Sequence, residues 1–356
     1  MIKIEKINPF SLNKNQKKKF LIKKFKHLIS FHKNNCKYYR HFLDAQQFRL
    51  KKIKTIKDIP FLPINLFKEY ELKSIKKKEV FKILNSSGTS GQKVSRIFLD
   101  KETSLMQTKA LTKIMENYIG KKRLPMIIMD NKNVLKNRKA FSARGAGILG
   151  FSIFGKEKIY LFHENMKIDY EPLKEFLYKN KNNRILLFGF TYMIWEYFIK
   201  NLKKKKIKID LKNSILIHGG GWKKIENKNI SKEVFKKTLK NYTGISEVYD
   251  YYGMVEQTGS IFFECKYNYF HTSIFSDILI RNSKDFSVCK YNQKGIIQSL
   301  SILPKSYPGH SILTEDEGVM IGEDDCKCGR KGKYFKILGR VKYSETRGCS
   351  DTYEAI

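Results

Sequence analysis

The sequence predicts a layered α/β core followed by a β-rich subdomain. Three short apolar runs, Met126–Met129, Ile185–Phe190 and Ile215–Ile217, have the length of buried strands. Segments with helical spacing of apolar residues separate them, and this alternation is typical of a layered α/β fold. After Tyr249 the pattern changes to short strands and turns, which indicates the β-rich subdomain.

The predicted elements follow one another without a Pro-rich or Gly/Ser-rich linker. Residues 10–50 have helical spacing, which Pro60 and Pro63 interrupt. An apolar run, Val80–Leu84, then ends in a Ser/Gly loop. Further helices are predicted over Thr103–Tyr118, Pro172–Tyr178, Tyr192–Leu202 and Lys232–Tyr242, and a final strand over Tyr334–Leu338.

The composition is that of a globular protein with an unusual charge. Its 356 residues are 41% hydrophobic and 13% aromatic, which excludes disorder as the main state. No run approaches the roughly 18 apolar residues of a membrane helix, and the first residues do not form a signal peptide, so we expect a cytoplasmic protein. Lys and Arg total 71 against 34 acids, a net charge of +37. Because Lys is dispersed over the chain, we expect attraction of anionic ligands rather than a nucleic-acid interface.

A loop rich in hydroxyls and glycines is the first candidate binding site. It comprises Ser86, Ser87, Gly88, Thr89, Ser90 and Gly91, and Lys93 follows it. Converging backbone N–H groups, hydroxyls and one lysine suit a phosphate. The spacing is not that of a Walker A loop, and a flexible turn is the alternative. Its position after a strand expected to be buried favours the phosphate site.

A glycine turn is the second candidate. Gly219, Gly220 and Gly221 follow the predicted strand Ile215–Ile217, so a flat ligand could lie against bare backbone where open α/β sheets bind ligands. A tight turn without a ligand is the alternative. A formal G-x-G-x-x-G over Gly145–Gly150 lacks a preceding strand, so we expect a loop there rather than a dinucleotide site.

Aromatic and acidic residues follow the next predicted strand. Tyr251 and Tyr252 precede Glu256, an arrangement in which the rings could stack on a base and the carboxylate could hold Mg²⁺. An exposed glutamate at the end of a strand is the alternative.

The cysteines suggest metal or thiol chemistry rather than a disulfide scaffold. Cys265, His271, Cys326 and Cys328 have the donors of a tetrahedral zinc site, but the C-x-C spacing is tighter than the usual C-x-x-C, which leaves free thiols in turns as the alternative. Cys349 lies near Arg347, which would lower the pKa of its thiol and suit a covalent nucleophile. A passive surface cysteine is the alternative to that role.

Together these segments resemble the adenylate-forming superfamily, and specifically its LuxE-type acyl-protein synthetases, which are related to phenylacetate–CoA ligases. The resemblance keeps the family's order over nearly the whole chain. It is carried by Phe61–Lys68, Asn85–Gly91, Ser142–Gly145, Tyr252–Glu256, Leu313–Asp316, Cys326–Tyr334 and Gly339–Asp351.

The resemblance implies a long-chain-fatty-acid–protein ligase. Such an enzyme uses ATP and Mg²⁺ to convert a fatty acid to an acyl-adenylate, passes the acyl group to one of its own cysteines, and supplies a partner acyl-protein reductase. Preorganised positive charge, loop amides and Mg²⁺ are what the developing pyrophosphate requires.

The resemblance also implies residue roles. Ser86–Gly91, with Thr89, and Lys93 would hold the ATP phosphates. The adenine would lie near Gly219–Gly221, Tyr251 and Tyr252, Glu256 would bind Mg²⁺, Asp316 would hold the ribose hydroxyls, and Arg340 would lie near ribose and phosphate. Cys349 would accept the acyl chain, and Cys265, His271, Cys326 and Cys328 would match a cluster that can bind structural zinc in the related CoA ligases.

The resemblance further implies an adenylation domain over residues 1–340 and a tail over 341–356 with the acceptor cysteine. Adenylating enzymes carry a further C-terminal domain of roughly 100 residues, with a catalytic lysine, which we expect to be missing here. This favours self-acylation and leaves the lysine unassigned. Glu315 also replaces the glycine of the usual T-G-D signature.

Two other functions stay open from the sequence. One is an adenylate-forming ligase for an aryl, amino or short acyl acid, with CoA or a carrier as acceptor. The other is a non-catalytic scaffold, although the intact set of Thr89, Lys93, Glu256, Asp316 and Arg340 argues against it.

Overall fold

The computed structural model describes residues 8–86, 93–135, 143–221 and 230–341. These residues form two compact units. The first unit contains residues 8–86, 93–114 and 253–341, and the second contains residues 115–135, 143–221 and 230–252. Within the described ranges, every helix is too short or too polar to cross a membrane.

The strands and helices alternate over the first two thirds of the chain, and strands dominate the last third. In chain order the strands are β1 (Leu62–Pro63), β2 (Lys82–Asn85), β3 (Arg96–Leu99), β4 (Leu124–Ile128), β5 (Gly155–Tyr160), β6 (Ile185–Phe190), β7 (Ser214–Gly219), β8 (Glu247–Tyr252), β9 (Phe262–Glu264), β10 (Phe270–His271), β11 (Ser276–Arg281), β12 (Lys294–Ser301), β13 (Ser311–Glu323) and β14 (Lys333–Arg340). The α-helices are α1 (Lys14–Asn35), α2 (Lys37–Ala45), α3 (Leu66–Glu69), α4 (Lys101–Ile119), α5 (Ala143–Ser152), α6 (Tyr170–Lys179), α7 (Thr191–Met193), α8 (Lys200–Lys205) and α9 (Lys232–Thr243). A π-helical turn, Ile194–Ile199, joins α7 to α8, and 3-10 turns cover Leu50–Lys52, Ile56–Asp58, Lys77–Glu79, Lys132–Leu135 and Val255–Gln257.

The first unit is built on an antiparallel sheet with strand order β11–β12–β13–β14–β10–β9. Strand β1 adds to β13 in parallel. Strands β2 and β3 form a separate antiparallel ribbon. Because β14 pairs with both β13 and β10, the last strand lies inside the sheet rather than at its edge.

Helix α1 covers this unit with an amphipathic face. A capping box between Asn13 and Gln16 fixes its start. Leu21, Phe25 and Leu28 follow at intervals of three and four residues and are buried in a core that also contains residues of β11, β12 and β13. Each such side chain contributes about 1.5–3 kcal/mol when fully buried, so packing rather than its lysine-rich surface stabilises the helix.

The second unit is built on a parallel sheet with strand order β8–β7–β6–β4–β5. Every residue of β6 and β7 is buried, as expected of central strands that are covered on both faces. The predicted layered α/β core and the following β-rich region are therefore both confirmed.

Two local predictions are wrong. The strand that precedes the Ser/Gly loop is not buried: Leu84 is the buried residue of β2, whereas Phe81 and Ile83 are 57% and 48% exposed, because the ribbon is covered on one face. The Gly145–Gly150 segment lies in helix α5 rather than in a loop. There Gly147 permits close packing, since a Cβ at this position would lie 3.1 Å from the ring of Phe190.

Candidate active site

Glu256 is a buried carboxylate in the first unit. It lies in the 3-10 turn Val255–Gln257, just after β8, and its residue is 4% exposed. Its backbone carbonyl accepts a hydrogen bond of 2.8 Å from the buried hydroxyl of Tyr307. The predicted alternative of an exposed glutamate at the end of a strand is therefore wrong.

Gln257 anchors the same turn. Its side-chain amide donates to the carbonyls of Ser299, at 3.0 Å, and Gly309, at 2.8 Å, while its amide oxygen accepts from the Ser299 hydroxyl at 2.6 Å. All of these groups are buried, where hydrogen bonds are costly to break. The turn is thereby fixed to strand β12, and the Glu256 backbone is held in place.

Burial and two positive charges act on the Glu256 carboxylate. Burial raises its pKa, and the Ser95 hydroxyl and the positive charges of Lys68 and Arg340 act in the opposite direction. A cation bound to this carboxylate would stabilise it, because burying an unpaired charge costs free energy. Lys68, on α3, belongs to a segment that carries the family resemblance, but sequence reasoning gave it no role.

Asp316 and Arg340 are cross-strand neighbours. They are paired residues of β13 and β14, and the Arg340 Nε lies 3.6 Å from Asp316 Oδ1. Arg340 Nη1 lies 4.0 Å from Glu315 Oε2. Asp316 and Arg340 keep 20% and 28% of their side-chain surface exposed, so both can reach a ligand. A carboxylate accepts hydrogen bonds from hydroxyls, and a guanidinium binds phosphate.

The Ser/Gly loop is anchored at both ends by the β2–β3 ribbon. The Ser86 hydroxyl accepts from the Ser95 N–H at 2.9 Å, and the Ser86 N–H donates to the Ser95 carbonyl at 3.0 Å. Lys93 is 70% exposed, and its Nζ lies 2.6 Å from Glu69 Oε2. The structure thus places Lys93 at the surface, in an ion pair that a phosphate would have to replace.

In the second unit, the glycine turn packs against a tyrosine. Gly219 ends β7 beside Tyr251 of β8, and a Cβ at Gly219 would lie 2.4 Å from the Tyr251 ring. Tyr251 also stacks on Phe188, with ring centroids 6.1 Å apart. The Thr191 hydroxyl lies 3.1 Å from the Gly219 carbonyl and 3.2 Å from the Gly220 carbonyl. Gly219 is therefore required for ring packing, whereas Gly221 has open space around it.

A buried ion pair lies nearby in the same unit. Arg144, on α5, contacts Asp130 through Nε–Oδ2 and Nη2–Oδ1 distances of 3.0 and 3.2 Å. Both residues are at most 5% exposed, and burial raises the pKa of Asp130 to about 6 although Arg144 lowers it. Arg144 is one of the residues that carry the family resemblance. Its partner Asp130, which follows β4, was not predicted from the sequence.

The four predicted zinc ligands do come together in the first unit. The ligand atoms of Cys265, His271, Cys326 and Cys328 all lie within 4.8 Å of one another. His271 Nε2 lies 3.3 Å from Cys328 Sγ, and a tetrahedral zinc site would space its ligand atoms about 3.5–3.8 Å apart. In the absence of a metal, burial raises the pKa of Cys326 to about 12. The donor set and its spacing fit zinc.

Several predicted site residues lie outside the described part of the chain. They are Ser87, Gly88, Thr89, Ser90, Gly91 and Cys349. The other residues predicted to bind the nucleotide are described: Ser86, Lys93, Glu256, Asp316 and Arg340 belong to the first unit, and Gly219, Gly220, Gly221, Tyr251 and the half-buried Tyr252 belong to the second.

The fold is shared with an adenylate-forming enzyme of known structure. A 2-hydroxyisobutyryl-CoA ligase, solved in an open conformation with 2-HIB-AMP and CoA, superimposes with a TM-score of 0.73 at 14% identity. The alignment covers 96% of this chain and 78% of that one. The same ligase in the postadenylation state with 2-HIB-AMP gives a TM-score of 0.73 at 13% identity, over 94% and 70% of the two chains. The chain therefore shares the fold of these adenylate-forming ligase structures.

Sequence relatives narrow this class. The family model of the acyl-protein synthetase LuxE matches residues 3–355, and the chain belongs to that family. The long-chain-fatty-acid–luciferin-component ligase of Aliivibrio fischeri is 24% identical over 339 residues, which are 90% of this chain and 84% of the relative. Its namesake from Vibrio harveyi is 22% identical over 329 residues, 90% and 83% of the two chains. The predicted family and enzyme class are thus confirmed.

Proposed function

We propose that this chain uses ATP to activate a long-chain fatty acid as an acyl-adenylate, transfers the acyl group to a cysteine thiol, and supplies an acyl-protein reductase. Membership of the acyl-protein synthetase family and the names of both relatives support the reaction class. The observation that supports the residue roles is the burial of Glu256 in a turn whose backbone is held by Tyr307 and Gln257.

Acidic, basic and loop residues would hold the phosphates and the ribose. Glu256 would bind Mg²⁺, which when present neutralises phosphate charge. Ser86–Gly91 and Lys93 would hold the phosphates, and Asp316 and Arg340 would bind the ribose hydroxyls and the α-phosphate. Lys68, whose positive charge acts on Glu256, would add to the positive charge around the phosphates.

The glycine turn and its tyrosine would bind the adenine. Gly219–Gly221 offer backbone without side chains, and Tyr251, held by Phe188 and Gly219, offers a rigid aromatic wall. Tyr252 is also assigned to the adenine, on the family resemblance alone. Rigid aromatic contacts bind a flat base with little loss of conformational entropy.

Two bond exchanges complete the reaction. A carboxylate oxygen of the fatty acid attacks the α-phosphorus of ATP, and pyrophosphate leaves. The Cys349 thiolate then attacks the acyl carbonyl carbon, AMP leaves with the former carboxylate oxygen, and a thioester forms. The tail over residues 341–356 would present this cysteine to the activated acid.

The test is acid-dependent pyrophosphate release combined with intact-mass measurement. Glu256→Gln and Lys93→Ala should lower pyrophosphate release at least about 100-fold, as expected for lost charge stabilisation, while Glu102→Gln, a surface control, should not. Cys349→Ser should keep the release but lose a hydroxylamine-sensitive acyl adduct. Cys289→Ser is its matched control. An adduct that persists in Cys349→Ser contradicts the assigned acceptor, and AMP formation only with CoA contradicts self-acylation.

We also propose that Cys265, His271, Cys326 and Cys328 hold a structural zinc ion. The purified protein should contain one zinc per chain by elemental analysis. Cys265→Ser should lose the metal and unfold at lower urea concentration, whereas Cys289→Ser should retain both metal and stability. A metal-free protein with unchanged stability would contradict this site.

A further inference from the structure

An exposed surface of the first unit combines lysines with large apolar side chains. The run Lys76–Ile83 contains four exposed lysines, at positions 76, 77, 78 and 82. Between and beside them stand Phe81 and Ile83, 57% and 48% exposed. We call Lys76–Ile83, together with Arg96 and Lys101, the lysine–phenylalanine surface.

The β2–β3 ribbon gives this surface its form. Ile83 of β2 is paired with Phe98 of β3, so both side chains lie on the same face of the ribbon, together with Phe81 and Arg96. The opposite face, with Leu84 and its partner, is buried. The Lys101 Nζ lies 5.9 Å from the ring centre of Phe81, and Arg96 lies 5.3 Å from that of Phe98.

A cavity of 490 Å³ opens on this face. Its lining combines cations with apolar groups and one acid: Glu71, Lys73, Lys77, Val80, Ile83, Arg96 and Phe98. Its volume is within the range of small-molecule sites. An anion with apolar atoms attached suits such a lining better than a purely polar ion does.

The acids at this surface are already engaged. Glu71 forms ion pairs with Lys73 and Arg96, and the Glu79 carboxylate accepts the Lys76 backbone N–H at 2.7 Å. The Asp100 carboxylate accepts the Thr103 backbone N–H at 2.7 Å. The cations Lys73, Lys76, Lys77, Lys78, Arg96 and Lys101 therefore outnumber these three acids. The surface is strongly positive, in a chain whose net charge is +37.

We propose that the lysine–phenylalanine surface binds an anionic lipid bilayer. Lysines beside exposed aromatic and aliphatic side chains match a headgroup layer, where the ammonium groups contact phosphates and the apolar groups enter the acyl boundary. A nucleic acid would match less well, because it offers no apolar layer to Phe81 and Ile83. The inference goes beyond the proposed reaction: it concerns where the enzyme meets a substrate that partitions into bilayers.

The test is sedimentation of the full chain with vesicles of phosphatidylcholine, alone or mixed with phosphatidylglycerol. The protein should bind the anionic vesicles, with weaker binding at high salt. Lys77→Ala with Lys78→Ala should weaken binding about 30-fold, at roughly 1 kcal/mol per lysine. Phe81→Ala with Ile83→Ala should weaken it roughly tenfold. Circular dichroism checks that each variant is folded.

The matched control is Lys203→Ala with Lys204→Ala in α8. It removes the same charge from exposed lysines. The described residues of α8 include no exposed large apolar side chain, so only the charge is matched. Equal loss in both lysine pairs would mean that net charge alone drives binding and would overturn the proposal. Equal binding to neutral and anionic vesicles, or no binding to either, would overturn it as well.

Pyrophosphate release with a short, water-soluble acid separates this proposal from the proposed function. The Lys77/Lys78 variant should keep that release unchanged while vesicle binding falls. If the variant keeps vesicle binding but loses acyl transfer to a reductase, the surface binds a protein partner and not a bilayer.

Discussion

His32 and His310 form a buried stacked pair whose protonation should control acid stability. Their ring centroids are 5.1 Å apart with an interplanar angle of 8°, and both residues are at most 1% exposed. The His32 Nε2 faces the Pro304 carbonyl at 3.2 Å, so it carries the proton, and Nδ1 accepts from the Ser74 hydroxyl at 2.7 Å. The Tyr39 hydroxyl lies 3.1 Å from His310 Nε2. The His32 ring is thus satisfied as a neutral group, whereas His310 Nδ1 is buried without a hydrogen-bond partner among the described residues.

Burial determines the size of the effect. It lowers the pKa of His32 to about 3 and that of His310 well below its ordinary range, and a positive charge on His32 would lower the pKa of His310 further. Because the pKa in the folded state lies below that of the unfolded state, about 6.5, the unfolded chain binds more protons as the pH falls. The free energy of unfolding therefore falls as the pH drops below about 6.5. Between pH 7 and pH 5 the loss is about 2 kcal/mol per ring and about 4 kcal/mol for the pair.

The assay is urea unfolding at pH 7 and pH 5, on the wild type and on His310→Gln. The variant removes one titrating ring, so its loss of unfolding free energy between the two pH values should be about 2 kcal/mol smaller. Other groups, including Glu256 and Asp130, contribute equally to both proteins and cancel in the comparison. His41→Gln, at an exposed position, is the control and should behave as the wild type. Equal losses of unfolding free energy in the wild type and His310→Gln would show that protonation of His310 does not destabilise the fold.

Three further substitutions test the site. Gly219→Ala should raise the KM for ATP about tenfold, because the new methyl group overlaps the Tyr251 ring. Gly221→Ala adds its methyl group in open space and should leave the KM unchanged, so equal KM values in the two variants would contradict the proposed adenine contact. Arg144→Ala should lower the free energy of unfolding, measured in urea, by about 3–5 kcal/mol, because it leaves Asp130 buried and unpaired. A loss below about 1 kcal/mol would show that the ion pair does not stabilise the fold. Tyr307→Phe should cost about 1 kcal/mol and also slow pyrophosphate release, because its hydroxyl holds the carbonyl of the proposed magnesium ligand; an unchanged rate would limit this tyrosine to a structural role.

The sequence predicted the central strands of the parallel sheet. The apolar runs Ile185–Phe190 and Ile215–Ile217 lie in β6 and β7, which are buried on both faces, and a local pattern detects such runs. β5 was missed because it pairs with β4 alone at one edge of the sheet, so Lys156, Glu157 and Lys158 are exposed and read as a loop. The reverse error at β2, which was expected to be buried, arose because Phe81 and Ile83 are apolar but exposed.

Short motifs suggest roles for single residues, whereas roles that depend on a distant contact leave no local pattern. The roles of Glu256 and Asp316 were predicted from short motifs and stay predictions, and the cysteine–histidine cluster, predicted from donor chemistry, is brought together by the fold. Lys68 and Tyr307 act on Glu256 from positions about 190 and 50 residues away in the chain, and such contacts leave no trace in local spacing. Pairing of β14 with both β13 and β10 depends on the same kind of long-range contact.

The discontinuity of the first unit has a consequence for synthesis on the ribosome. Among the described residues, the second unit comes from one stretch of the chain, between Met115 and Tyr252, whereas the first needs residues from both sides of that stretch. When the ribosome has passed residue 252, the second unit can fold, but Leu21 and Phe25 of α1 still lack their partners on β11, β12 and β13. Because β14 is an internal strand, that sheet stays open until nearly the last described residue has emerged. The nascent chain therefore exposes its first helix, apolar face included, for most of translation, and this helix is where we expect a chaperone to act.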